Sequence, residues 1–239
     1  MTKPILQILD LSIGYSKDKP LLNEINLTLE SGSFTGIFGA NGSGKSTLVK
    51  TASNSLPPLS GAVKLLDKGL SDYSDKEVAK HIAYIPSSSS YASGITVYDL
   101  LSFARIPYLG WSQKLSTTDN QLIISSSERT GVGSLLKMRF HELSEGQKQL
   151  VNITKALVQE TQIIILDEPT AHLDIVNKIK VFEMLKNLSE EGKTILCISH
   201  DIHNIHPFLD QVAVITKDHD FKVYQSQEKQ TEALLELLF

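Results

Sequence analysis

The run Gln162-Ile-Ile-Ile-Leu-Asp-Glu-Pro-Thr-Ala171 sets two carboxylates, Asp167 and Glu168, directly behind four apolar residues. An uninterrupted apolar run of this length reads as a strand buried on both faces, as inside a parallel sheet. The carboxyl ends of such strands form the ligand crevice of open α/β sheets. Acids there suit a metal ion and a water molecule. Upstream, Gly39-Ala-Asn-Gly-Ser-Gly-Lys-Ser-Thr47 satisfies the pattern G-x-x-x-x-G-K-[ST]. It follows the apolar run Phe34 to Phe38 and leads into a helix-like stretch carrying Leu48, Val49 and Ala52. Gly39, Gly42 and Gly44 let the backbone curl so that its amides, between Asn41 and Ser43 as elsewhere, point inward at phosphate oxygens. The helix start behind Gly44 adds partial positive charge. Lys45 can reach β- and γ-phosphates, and the Ser46 hydroxyl can ligate Mg²⁺, with Thr47 closing the loop.

A phosphate loop alone leaves kinases, GTPases and motor ATPases open. Leu143-Ser-Glu-Gly-Gln147 narrows the field. Ser144-x-x-Gln147 is a capping box, and Leu150, Ile153, Leu157 and Val158 follow at helical spacing. Gly146 in the first turn of that helix makes a second anion-binding end.

Together these residues resemble the ATP-binding cassette family, the motor subunits of ABC transporters, over nearly the whole chain. The resemblance implies that Gly39 to Thr47 is the Walker A loop and Leu143 to Gln147 the signature motif, with Glu145 where glycine is commonest. Ile163 to Asp167 then resembles Walker B, Glu168 the catalytic glutamate, and Ala171-His-Leu-Asp174 the D-loop. Ser199-His-Asp201, after the apolar strand Thr194 to Ile198, is similar to the switch-histidine segment, and Tyr15 to the aromatic that stacks on adenine. The fold so implied is a P-loop α/β core with a mostly parallel sheet, a small antiparallel β subdomain and a helical subdomain. ATP and Mg²⁺ are the implied cofactors.

Charge placement then gives an expected mechanism. Phosphoryl transfer needs a positioned γ-phosphate, neutralised charge and an in-line water. Lys45 and Mg²⁺ supply the neutralisation, with Ser46 on the metal and Asp167 reaching it through a water. Glu168 serves as general base, and His200 bonds the γ-phosphate and fixes Glu168. The resemblance further implies that Ser144, Gly146 and Gln147, with the D-loop Asp174, act on ATP held by a second copy. ATP thereby joins two subunits head to tail.

The 239 residues suffice for one large α/β domain. The expected division is a nucleotide-binding core with its antiparallel subdomain, about 1–97 and 157–239, and a helical subdomain, about 98–156. A net charge of −4 gives no electrostatic footprint for nucleic acid. No apolar run approaches the ~20 residues of a membrane span, and Met1-Thr-Lys-Pro-Ile lacks a signal-peptide core. The single cysteine forms no intrachain disulfide and fits a reducing cytosol. The resemblance implies a peripheral position at the cytoplasmic face of a bacterial-type membrane, on integral permease subunits and indirectly served by a solute-binding protein.

Cys197, His200, His203 and His206 show C-x-x-H-x-x-H-x-x-H spacing, but Cys197 lies in a continuous apolar strand and no second cluster completes a metal shell. Strands are expected at Ile5 to Ser12, Ile25 to Leu29, Gly61 to Leu66, Ile82 to Pro86 and Val212 to Thr216. Tyr98 to Ala156 reads as mainly helical, broken at Pro107, Gly110 and the loop Ser116 to Asn120. Thr231 to Phe239 reads as a terminal helix packed on its own core.

Two features bear on subfamily. Gly94 to Tyr108, with the short C-terminal end, is similar to ATPases of importers for iron-siderophore, haem and vitamin B12. Cassettes of this type usually carry glutamine after the strand matching Ile82 to Pro86, in a segment that senses Mg²⁺. Here the position is Ser87, two carbons shorter, a candidate metal contact only through a bridging water. Other readings are another ABC system, exporter or importer, or a weakly hydrolysing regulatory and dimerisation module. The last usually lacks Glu168 or His200. A DNA-repair cassette needs a long insertion between Thr47 and Leu143, and a tandem translation-factor ATPase needs two cassettes; neither pattern is visible.

Overall fold

The computed structural model describes residues 3–88, 91–110, 114–171, 173–228 and 231–238. The chain opens with β1 (Pro4–Ile13), β2 (Leu22–Glu30) and β3 (Phe34–Gly39), then α1 (Lys45–Ala52), β4 (Ser60–Leu65) and the two-residue β5 (Lys68–Gly69). Next come α2 (Asp75–His81), β6 (Ile82–Ile85), α3 (Val97–Phe103), α4 (Thr117–Arg129) and α5 (Glu145–Val158). The last third holds β7 (Ile163–Asp167), α6 (Ile175–Glu190), β8 (Thr194–Ile198), α7 (Ile202–Ile205), β9 (Gln211–Ile215), β10 (Phe221–Gln225) and α8 (Thr231–Leu238).

These strands form two sheets. An antiparallel sheet runs β2-β1-β4-β5, and a six-stranded sheet runs β10-β9-β3-β8-β7-β6. Within the larger sheet all neighbours are parallel except β9 and β10. β3, β7 and β8 are buried on both faces, as their uninterrupted apolar runs require. Alternate residues of the large sheet divide between two cores. Ile37, Ile163, Ile165, Leu196 and Ile198 face α1 and the antiparallel sheet, while Phe34, Ile164, Leu166, Ile195 and Cys197 face the side of α6. A third apolar cluster joins α3, α4 and α5 through Leu100, Leu101, Ile123, Val151 and Val158.

Helix starts follow the capping chemistry of the sequence. Ser74, Thr96, Ser116 and Ser144 each accept from the backbone N–H three residues on, and Glu77, Asp99, Asp119 and Gln147 return the bond. One expectation is corrected by this pattern. Ser116 to Asn120 is no loop: it is the cap and first turn of α4, because the Asp119 carboxylate accepts from Ser116 Oγ at 2.6 Å. β1 and β2 also run longer than their most apolar cores. α8 packs inward as expected, with Leu234 buried in the core on the α6 side.

Candidate functional site

Three adjacent parallel strands bring the chemistry together. β8 lies between β3 and β7, and the register sets Ile37 opposite Ile198 and Ile198 opposite Asp167. The chain segments leaving these strands therefore start from one level: the glycine loop from β3, Ser199 and His200 from β8, Asp167 and Glu168 from β7.

The loop uses glycine where the backbone demands it. Gly42 and Gly44 sit at φ 78° and 102°, a region that side chains disfavour. α1 starts directly behind Gly44 with no side-chain cap, so its first amides are left for a ligand. Lys45 is 5% exposed, and its Nζ donates to the Gly39 and Ala40 carbonyls at 2.9 Å each. The side chain thus curls into its own loop, where phosphate oxygens can replace the carbonyls. Burial draws its ammonium below the ordinary lysine value, while Glu168 and Asp167 act in the opposite direction.

Ser46 Oγ donates to Asp167 Oδ1 at 3.2 Å. Asp167 is buried, and burial raises its carboxyl above the ordinary range; Ser46, Lys50 and Lys45 offset this while Glu168 adds to it. A hydroxyl and a carboxylate at this separation are the hard oxygen donors that suit Mg²⁺. Glu168 follows in the left-handed region at φ 53°, a costly conformation for a residue with a side chain. Its N–H donates to the Ile198 carbonyl at 3.0 Å, and His200 Nε2 lies 2.6 Å from its Oε1. Neighbouring Asp201 pairs with Lys178 at 2.9 Å.

Tyr15, Asn41, Gly42, Gly44, Lys45, Ser46, Thr47 and Glu168 line one cavity of about 300 Å³, and the Tyr15 ring is largely exposed at its edge. Gly39 and Ser43 complete the loop: a Cβ on Gly39 would approach Ser43 Oγ to 2.6 Å. The signature residues lie elsewhere in the chain's architecture. Ser144 is the N-cap of α5, its amide donating to Gln147 Oε1 at 2.9 Å, and Gly146 sits in the first turn. Asp174 caps α6, accepting from the Asn177 amide at 2.9 Å. None of these four residues lines the cavity of the glycine loop.

Ser87 follows β6 and borders a second cavity, about 390 Å³, that reaches Glu168 from the other side. Among the described residues it makes no hydrogen bond to Ser46 or Asp167. Opposite it stands a polar stripe of α5, Glu145, Lys148, Gln149 and Asn152. This stripe was legible in the sequence as polar residues spaced three and four apart, the counterpart of the apolar positions on the same helix. The cysteine and histidines are engaged separately. Cys197 is fully buried in β8, and burial pushes its thiol up; His206 Nδ1 lies 3.0 Å from Thr231 Oγ1.

A family model described as ABC transporter matches residues 22–171, more than half of the chain. The chain belongs to the ABC transporter family. As a cassette of that family it is an ATP-binding ATPase. It is 34% identical over 230 residues to the iron(3+)-hydroxamate import ATP-binding protein FhuC of Bacillus subtilis, covering 96% of this chain and 85% of that one. Among solved structures it is similar to a chain of an inward-facing ABC transporter described as metal-chelate type, with a TM-score of 0.86, 25% identity, and 99% and 89% of the two chains covered. A second is CbiO1 of Clostridium perfringens, part of the transporter complex CbiONQ, with a TM-score of 0.79, 32% identity, and 94% and 90% covered. Among the described residues, no helix of the cassette is long and apolar enough to cross a membrane.

Proposed function

We propose that this cassette is the ATP-hydrolysing motor of an importer of metal chelates, of which iron-siderophore complexes are the expected type. Two copies work under integral permease subunits at the cytoplasmic face of the membrane, and a solute-binding protein delivers cargo to those permeases. The likeness to an iron-hydroxamate import protein and to a metal-chelate type transporter supports the cargo class. The likeness to a component of a multi-subunit transporter supports the permease partners.

The observation that carries the hydrolytic reading is the 2.6 Å Glu168–His200 pair beside the glycine loop. In this reading Glu168 accepts the proton of the attacking water, and His200 holds the carboxylate towards it. Lys45 exchanges its two carbonyl acceptors for phosphate oxygens. Ser46 and Asp167 hold Mg²⁺, which when bound neutralises charge on the β- and γ-phosphates. Tyr15 stacks on the base. Ser144 and Gly146 of the second copy complete the γ-phosphate site, consistent with neither residue lining the glycine-loop cavity of its own chain.

The test is Glu168→Gln. ATP binding should persist while turnover falls by a factor on the order of 10² or more. Turnover equal to that of the unaltered cassette would remove Glu168 from its role. Purification of the native complex, with mass spectrometry of its membrane and solute-binding subunits, checks the cargo class.

A further inference from the structure

The buried polar atoms of the cassette include one donor that the mechanism above does not use. β6 pairs with β7 in parallel, with Tyr84 opposite Ile165 and Ile85 opposite Leu166. Side chains alternate along a strand, so Tyr84, Ile165 and Asp167 share the face turned towards α1. The cores agree: Tyr84 packs on the cluster that holds Ile82, Ile163, Ile165, Leu48 and Val49. The Tyr84 hydroxyl is closed off from solvent, and among the described residues no group makes a well-formed hydrogen bond with it. Burial raises this hydroxyl above the ordinary tyrosine value, and the Asp167 carboxylate raises it further, by its charge and as a side-chain hydrogen-bond acceptor.

Asp167 has the complementary deficit. A carboxylate offers about four acceptor positions, and this one is 3% exposed. Ser46, whose hydroxyl donates at 3.2 Å, makes its one well-formed hydrogen bond among the described residues. A buried carboxylate with one well-formed hydrogen bond and a buried hydroxyl with none thus lie on one face of neighbouring strands. A buried hydroxyl left without a well-formed bond is rare in folded proteins and calls for an explanation.

We propose that Tyr84 is a positioning residue for Asp167, its hydroxyl donating to that carboxylate, directly or through one water, when Mg²⁺ and nucleotide occupy the site. The hydroxyl sets the rotation of the carboxylate and turns its free lone pairs towards the cation held with Ser46. It acts through Asp167 and touches neither phosphate nor base. The inference rests on the proposed placing of Mg²⁺ at Ser46 and Asp167, and it adds a rigid strand-borne support in a chain whose Ser87 is too short to reach that position unaided.

The experiment compares the cassette with its Tyr84→Phe and Asp167→Asn variants in a nucleotide-binding assay. A fluorescent ATP analogue is held at fixed concentration while Mg²⁺ is titrated, with a parallel measurement in EDTA. Tyr84→Phe should raise the half-saturating Mg²⁺ concentration about tenfold, as expected for one lost hydrogen bond to a charged group. Affinity in EDTA should not change. The melting temperature of the nucleotide-free variant should stay level or rise, because the substitution removes a buried polar atom that lacks a well-formed bond. A lowered melting temperature with unchanged Mg²⁺ dependence would assign Tyr84 to packing alone and overturn the proposal. Asp167→Asn separates the two layers. If it raises the Mg²⁺ requirement and Tyr84→Phe does not, the proposal for Tyr84 fails by itself. If neither variant moves it, the placing of Mg²⁺ fails as well.

Discussion

Replacing Arg105 by Met should loosen the hold of the segment after α3 on α4 and the end of α5, and the size of the effect can be worked out from its contacts. Arg105 lies just beyond α3 and is 6% exposed. Its Nε donates to Asp119 Oδ1 at 2.7 Å, and its Nη1 donates to the Val158 carbonyl at 2.8 Å and to Glu160 Oε2 at 2.7 Å. The guanidinium also lies 4.1 Å from the centre of the Tyr108 ring. Methionine keeps the apolar stem and removes every donor. Breaking a buried ion pair by deleting one partner costs about 3–5 kcal/mol. Here Asp119 retains two donors from Ser116, at 2.9 and 2.6 Å, and Glu160 is half exposed, so its share is small. The low end, about 3 kcal/mol, is the reasoned value. For a chain of this size that lowers the melting temperature by roughly 6–12 °C, measured on the nucleotide-free cassette by circular dichroism. A double-mutant cycle with Asp119→Asn should return a coupling above about 1 kcal/mol. The pH dependence has a definite sign. The Ser116 hydroxyl and amide, and then Arg105, hold the Asp119 carboxyl below its ordinary value of 3.8. Its stabilisation is therefore present above that ordinary value and disappears as pH falls through the lowered folded-state value. The gap between the two proteins should narrow only in that acid window. A melting temperature within about 2 °C of the parent would refute the reasoning, since the guanidinium would then be as well served by water.

Two further substitutions test the proposed composite site and the proposed metal contact of Ser87. Ser144→Arg, made in the Glu168→Gln background, should leave the cassette monomeric by light scattering at saturating ATP, where Glu168→Gln alone gives a dimer; normal dimerisation would remove the signature loop from the second nucleotide site. Ser87→Gln restores the longer amide on the wall of the cavity that reaches Glu168 and should raise basal ATPase rate or apparent Mg²⁺ affinity, read from hydrolysis across Mg²⁺ concentrations; if neither moves, serine at 87 is a bystander.

The central chemistry was legible because it rests on local rules. A continuous apolar run must be buried on both faces, so Ile163 to Leu166 announced a central strand and located Asp167 and Glu168 at its end. The capping box at Ser144 likewise marked a helix start that the fold keeps. The same rule applied to Ser116 would have recovered the start of α4, where a polar composition reads as a break. β10 was missed because its exposure pattern is mixed, as suits an edge strand paired on one side. The inward curl of Lys45 and the φ of Glu168 have no sequence signature, since both follow from contacts between segments far apart in the chain. Tyr84 was hidden for a related reason: only the β6–β7 register shows that its ring and Asp167 share a face.

The position of β3 also bears on how the protein comes into being during synthesis. β3 is flanked by β8 and β9, whose residues 194–198 and 211–215 leave the ribosome long after the glycine loop at residues 39–47. Domains form as their pairing partners emerge, and long-range parallel pairing is slow. The early β1–β2 hairpin can close by itself, but β3 has no neighbour in the large sheet until β8 and β9 have been made. A truncated nascent chain therefore carries the whole nucleotide-loop sequence without the strand order that shapes it. The arrangement ties the birth of the ATP site to the emergence of β8 and β9, and nascent chains that have not reached them present an apolar, unpaired strand for chaperones to recognise.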